Sequence, residues 1–144
     1  MKLQKNESLS LIVLALIYFA NIYVRLVTPP TNPISWDVLG YYLYLPFTFI
    51  YNDLGLHNKE VLDFLIETYN STSPFYQATL SESGNWIMKY SSGMAILYSP
   101  GFFMGHIWAL LSNYAVDGFS LPYRVSLIIN SSMFFIIGQF FFRK

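Results

Sequence analysis

Asp37 is the side chain best placed to do chemistry. It stands in Ser35-Trp36-Asp37-Val38-Leu39-Gly40-Tyr41-Tyr42, nine positions beyond Thr28, where an apolar run ends. A carboxylate among aromatic rings beside a hydrocarbon boundary is costly to desolvate, so it marks a functional position by default. The plain alternatives are a solvated loop residue or a helix N-cap. The histidines are weaker candidates. His106 lies on one stripe with Ser99 and Asn113, where a hydrogen-bonded structural role is expected, and His57 has no recognisable partner. Glu60, Asp63 and Glu67 share one face of a short amphipathic segment and read as a solvated face, because no histidine shares their spacing to complete a metal site. The chain has no cysteine, which removes disulfides, thiolate metal sites and cysteine nucleophiles. It has no phosphate-cradling glycine motif, no nucleophile elbow and no internal repeat.

The elements that must hold Asp37 are membrane elements. With 54% hydrophobic, 19% aromatic and only 11% charged residues, the composition is that of an integral membrane protein. Zero net charge gives no footprint for nucleic acid. After a cytoplasmic stretch, 1–8, the run 9–27 is broken only by Ser10, Asn21 and Arg25 and is long enough for a hydrocarbon core that takes about 20 helical residues. Lys2 and Lys5 also fit a signal peptide, but Tyr18 and Ala20 before Asn21 do not make a small-residue cleavage site, so a retained anchor is expected. A second span, 121–142, starts with a first-turn proline, Pro122, and is closed by Arg143 and Lys144 at a cytoplasmic end. Its Ser126, Asn130, Ser131 and Gln139 are polar groups that want protein partners at bilayer depth.

The region 28–120 is expected outside, as juxtamembrane helices with a small hairpin. Thr28-Pro29-Pro30-Thr31-Asn32-Pro33 stiffens the exit from the first span. Tyr41 to Tyr51, interrupted by Pro46, suits a kinked helix at the interface. Asn58 to Tyr69 reads as an amphipathic helix, and Phe75 to Leu80 with Trp86 to Tyr90 reads as a hairpin around the polar turn Ser81 to Asn85. Of three glycosylation sequons, only that at Asn70 lies in this region.

The segment 94–112 admits a third crossing by length. Against it, Ser99-Pro100 reads as an N-cap and first-turn proline, and a helix from Pro100 to Asn113 would reach only about 21 Å of a core roughly 30 Å thick. A helix starting near Gly93 would be long enough. Charge favours two crossings, which place Lys2, Lys5, Arg143 and Lys144 all inside.

Trp36-Asp37 with Gly40-Tyr41-Tyr42, Lys89-Tyr90-Ser91-Ser92-Gly93-Met94 with Tyr98-Ser99-Pro100, and Asp117-Gly118-Phe119-Ser120-Leu121-Pro122-Tyr123-Arg124 occur in this order around the two spans. In these residues the chain resembles the N-terminal portion of GT-C membrane glycosyltransferases, in the branch of protein O-mannosyltransferases, aminoarabinose transferases and uncharacterised bacterial relatives. The resemblance covers nearly all of the chain but only the first quarter or third of such an enzyme. It implies a fragment, inactive alone, of an enzyme that moves a sugar from a polyprenyl-phosphate donor to an acceptor on the external face of a bacterial inner membrane.

Under that resemblance Asp37 is the catalytic acid residue, acting as a base toward the acceptor or as a ligand to a divalent metal. Ionised, it accepts a proton or hydrogen bond from a hydroxyl within about 3 Å. Lys89 would meet a phosphate as a point charge and Arg124 bidentately. Tyr41, Tyr42 and Tyr90 would flank a sugar or an isoprenoid. The chain departs from the family pattern at Ser91-Ser92, where paired prolines are usual, and at Val38, where a second acid is usual. These departures leave the donor and the metal open. The expected partners are the bilayer, a lipid-linked sugar and the remaining helices of the enzyme. The competing expectation is a small non-enzymatic membrane protein whose spans dock on a larger membrane partner.

Overall fold

The computed structural model describes residues 2–27 and 32–142. Thr28 to Thr31 of the proline-rich exit and the closing Arg143-Lys144 lie outside the described residues. The protein is mostly helical, with the order α1 (Lys2–Val27), α2 (Asp37–Tyr42), α3 (Tyr44–Phe49), α4 (Lys59–Tyr69), β1 (Ala78–Leu80), β2 (Trp86–Met88), α5 (Gly93–Leu110) and α6 (Leu121–Phe142). It divides into two compact units, one of 1–31 with 131–144 and one of 32–130. In the first, α1 and the far half of α6 leave apolar grooves lined by Leu14, Phe140 and the amide-bearing Gln139. Among the described residues α6 alone is long and apolar enough to cross a membrane, and Ser8–Val24 of α1 is a shorter apolar stretch.

The second unit contains the candidate chemistry. Its core is aromatic: Tyr42, Phe47, Phe102, Phe119 and Tyr123 are fully buried or nearly so. Tyr42 meets Phe119 edge-on at 5.7 Å, and Phe119 stacks on Tyr69 at 5.8 Å, within the range in which ring quadrupoles attract. α4 forms because Asn58 caps it, accepting from the Val61 N–H at 3.2 Å, and because Leu62, Leu65 and Ile66 bury one face. Asn70 closes it in the left-handed conformation that Asn tolerates. The hairpin pairs Ala78 with Met88, Thr79 with Ile87 and Leu80 with Trp86, antiparallel.

Two elements differ from the sequence reading. The interfacial helix starts at Asp37, four residues earlier than Tyr41, and is split at Leu43 into α2 and α3, because Pro46 has no N–H for the Tyr42 carbonyl. The larger correction concerns α5, which runs from Gly93 straight through Pro100 for 18 residues, about 27 Å. Ser99 is therefore not an N-cap. Pro100 leaves the Ile96 carbonyl without its helical donor. The Ser99 hydroxyl donates to Ile96 O at 2.7 Å, and Asn130 Nδ2 of α6 donates to Leu97 O at 2.9 Å. The two helices meet at glycines. A Cβ on Gly101 would fall 2.8 Å from Asn130 Cβ, and one on Gly105 would fall 2.7 Å from Tyr123 Cα, so the spacing Gly-x-x-x-Gly sets their close approach.

Candidate functional site

The entry to α2 is pinned at several points. Asn32 Nδ2 donates to the Tyr69 carbonyl at 2.9 Å and to Ser71 Oγ at 3.1 Å, while its Oδ1 accepts from the Ile34 N–H. The Trp36 N–H donates to Ser71 O at 2.9 Å, and the Trp36 carbonyl accepts from Nε2 of the fully buried Gln77 at 3.0 Å. The Val38 N–H donates back to Ser35 O at 3.1 Å, closing a four-residue turn. Trp36 has φ 53° and ψ −123°, the first central position of a type II′ turn, where glycine is the ordinary occupant. Such a conformation costs a bulky residue about 1–3 kcal/mol.

The turn presents Asp37 to solvent as the first residue of α2. Its Oδ1 accepts two phenol hydroxyls, from Tyr76 at 2.8 Å and from Tyr90 in a shorter bond. No described residue bonds its Oδ2. The Tyr90 and Tyr76 hydrogen bonds, with a smaller contribution from the Lys89 ammonium, outweigh desolvation and hold the Asp37 carboxyl below the usual carboxylate range. The same bonds push both tyrosines up, since a phenol bonded to a carboxylate resists ionisation. The group is an ionised carboxylate with one oxygen fixed and the other open.

Tyr90 is itself held. Its ring packs edge-on against Tyr41 at 4.7 Å, and its carbonyl accepts from Tyr44 Oη at 2.6 Å. Gly40 lies against the same ring, and a Cβ there would collide with it and come within 3.1 Å of Gln77 Cγ. Lys89 Nζ stands 5.4 Å from the centre of the Tyr76 ring and 5.7 Å from that of Tyr90, cation–π range for both.

Four of the six residues named from sequence therefore come together: Asp37, Tyr41, Lys89 and Tyr90. Tyr42 is placed elsewhere, fully buried with its hydroxyl on Gly118 O at 2.6 Å, so it presents no surface to a ligand. Arg124 belongs to a second cluster at the start of α6. Its guanidinium lies 5.7 Å from the Tyr69 ring, and Tyr69 donates a short bond to Asp117. Asp117 Oδ1 also accepts the Phe119 and Ser120 N–H groups at 2.8 and 2.9 Å, so this acid is occupied in shaping the turn into α6. Tyr76 and Gln77 complete the Asp37 site and were not named from sequence, because nothing in their local pattern points across the 39 and 41 residues to their partners.

The histidines also have settled places. His106 Nδ1 is bonded to Tyr123 Oη at 2.7 Å, as a structural histidine would be. His57, expected to be without a partner, bridges Asp53 Oδ1 at 2.8 Å and Asn85 Oδ1 at 2.5 Å. Among the described residues no three His, Cys, Asp or Glu side chains gather as a metal site. Asp37, with one oxygen already taken and a lysine as neighbour, does not fit a protein-built divalent site. Comparison with protein families, curated proteins and solved structures finds no match to this chain.

Proposed function

We propose that this chain carries the acceptor-side half-site of a polyprenyl-phosphate-dependent membrane glycosyltransferase of the GT-C type, with Asp37 as its catalytic carboxylate. The observation that carries the reading is the asymmetry of Asp37, whose Oδ1 is clamped by Tyr76 and Tyr90 while Oδ2 is open. An acceptor hydroxyl donating to Oδ2 is aimed at the donor sugar. As the bond from acceptor oxygen to C1 forms, the bond from C1 to the phosphate oxygen breaks with inversion and the electron pair leaves with the phosphate. The hydroxyl proton passes to Oδ2. A carboxylate held at low pKa is a weak base, so transfer comes late, once the attacking oxygen has become acidic. Lys89 lends its charge to the departing phosphate.

The membrane arrangement belongs to the same proposal. α1 and α6 cross, with the N-terminus cytoplasmic and the site on the external or periplasmic side. In this reading α5 does not cross, which is supported by the ties of both its flanks to one module. Tyr90, before it, bonds Asp37, while Asp117 and Gly118, after it, bond Tyr69, Tyr51 and Tyr42. α5 buries Ala95, Gly101, Phe102, Gly105 and Ala109 but exposes Ile96, Met104, Ile107 and Trp108, an apolar outer face that suits a helix lying against lipid.

The test is Asp37→Asn in the native gene, with transfer from radiolabelled polyprenyl-phosphate sugars followed in membranes of the expressing cells. Transfer is expected to fall at least about 100-fold, the contribution of a positioned base. Unchanged transfer, or none to lose in the parent, overturns the reading in favour of a docking protein.

A further inference from the structure

The turn at Ser35 to Val38 holds a bulky residue where its backbone favours glycine. Both polar backbone groups of Trp36 are bonded, to Ser71 and Gln77, and the conformation is fixed from outside rather than chosen by the residue. More than half of Trp36 is exposed, at 56%, while Ile34 and Leu39 on either side are fully buried. A large flat apolar ring is thus displayed at a backbone cost on the residue next to Asp37, which is itself exposed. Strain retained without burial to offset it points to a contact with a ligand.

The chemistry of the pair narrows the ligand. A π face attracts weakly positive C–H groups, and an ionised oxygen accepts hydroxyl protons. A phosphate would be repelled by the carboxylate, and a bare isoprenoid would desolvate it without a donor in return. A sugar ring has both complements, an apolar C–H face and a rim of hydroxyls. We propose that Trp36 and Asp37 Oδ2 together bind one saccharide ring, the indole stacking on its C–H face while the carboxylate accepts from a hydroxyl. This rests on the functional reading above and adds a substrate-binding residue to it.

The test is 19F NMR of the full chain in nanodiscs, with its three tryptophans replaced by 5-fluorotryptophan. The Trp36 signal is assigned by its loss in Trp36→Phe. The probes are polyprenyl-phosphate glucose, mannose, N-acetylglucosamine and aminoarabinose, the matching methyl glycosides, and polyprenyl phosphate without sugar. The Trp36 signal is expected to shift saturably with at least one sugar-bearing probe and to stay still with the sugar-free lipid. A response to a methyl glycoside places the acceptor sugar on Oδ2, whereas one to a lipid-linked sugar alone places the donor there and overturns the assignment of Oδ2 to the acceptor hydroxyl. Equal shifts with and without sugar, or none with any probe, overturn the proposal. Trp36→Gly is expected to weaken binding at least tenfold while leaving Tm equal or higher, because glycine suits the turn; lower Tm with intact binding makes the indole structural and overturns it as well. Asp37→Asn, which keeps an acceptor oxygen, is expected to bind but not transfer, so transfer by this variant sinks the catalytic reading while the Trp36 response stands or falls separately.

Discussion

Tyr90 decides what Asp37 is. Its hydroxyl makes the strongest contribution to keeping that carboxyl ionised, ahead of Tyr76 and Lys89. Tyr90→Phe is expected to return the Asp37 pKa toward its ordinary 3.8, and Tyr76→Phe to do so less, both read from the side-chain carboxyl shift of 13C-labelled aspartate against pH. The sign follows from linkage: a depressed folded pKa contributes stability that is present above 3.8 and lost as pH falls through the folded value, so removing Tyr90 should reduce that acid-side sensitivity, leaving the part held by Tyr76 and Lys89. An unmoved midpoint in Tyr90→Phe would mean that the phenol does not touch the carboxylate. At this scale the sequence made Asp37 legible, because an acid among aromatics beside an apolar run stands out, and Tyr90 with it. Tyr76, Gln77 and the strain at Trp36 were not legible, since each depends on partners that only the fold brings to residues 36 and 37.

The hairpin that supplies the site is itself clasped to the loop before α4. His57 faces oxygen acceptors on both ring nitrogens, and the Trp86 N–H donates to Gly55 O at 3.2 Å. A ring that donates twice carries both protons, and the bonds to Asp53, then Asn85, raise the His57 pKa above its ordinary 6.5. Stability from the clasp is therefore fully present below pH 6.5 and is lost as pH rises through the raised value. The protection factor of the Trp86 amide in hydrogen exchange is expected to fall across that window in the parent and to be flat in His57→Gln; a flat profile in the parent would show that the clasp does not depend on the proton. Sequence patterns read α4 and the hairpin well, because the apolar period, the Asn58 cap and the polar turn are local signals. They favoured a start of α5 at Pro100 over one near Gly93, since Ser99-Pro100 imitates a cap, and the compensation that keeps the helix running comes partly from Asn130, 33 residues away. His57 escaped notice for a similar reason, its second acceptor lying in a turn 28 residues on.

For the molecule as a whole, composition establishes an apolar chain, but only long-range contacts distinguish an α5 that crosses the bilayer from one that lies along it. In the proposed two-span arrangement the bonds from Tyr42, Tyr51 and Tyr69 to the turn at Asp117-Gly118 keep residues 111–120 in one compartment with the Asp37 site, whereas a crossing α5 would send them to the opposite side. The absence of cysteine makes this directly measurable, because single cysteines can be added without removing any native one. Ser83→Cys in the hairpin turn and Asn113→Cys after α5 are exposed positions, and both are expected to react in intact cells with a membrane-impermeant maleimide, whereas Lys5→Cys should react only after permeabilisation. If Asn113→Cys behaves like Lys5→Cys while Ser83→Cys is labelled from outside, α5 crosses, and the ties of Asp117 to Tyr51 and Tyr69 cannot exist in the membrane. If all three react from outside, the positive-inside assignment fails, because the basic N-terminus would then share the face of the Asp37 cluster.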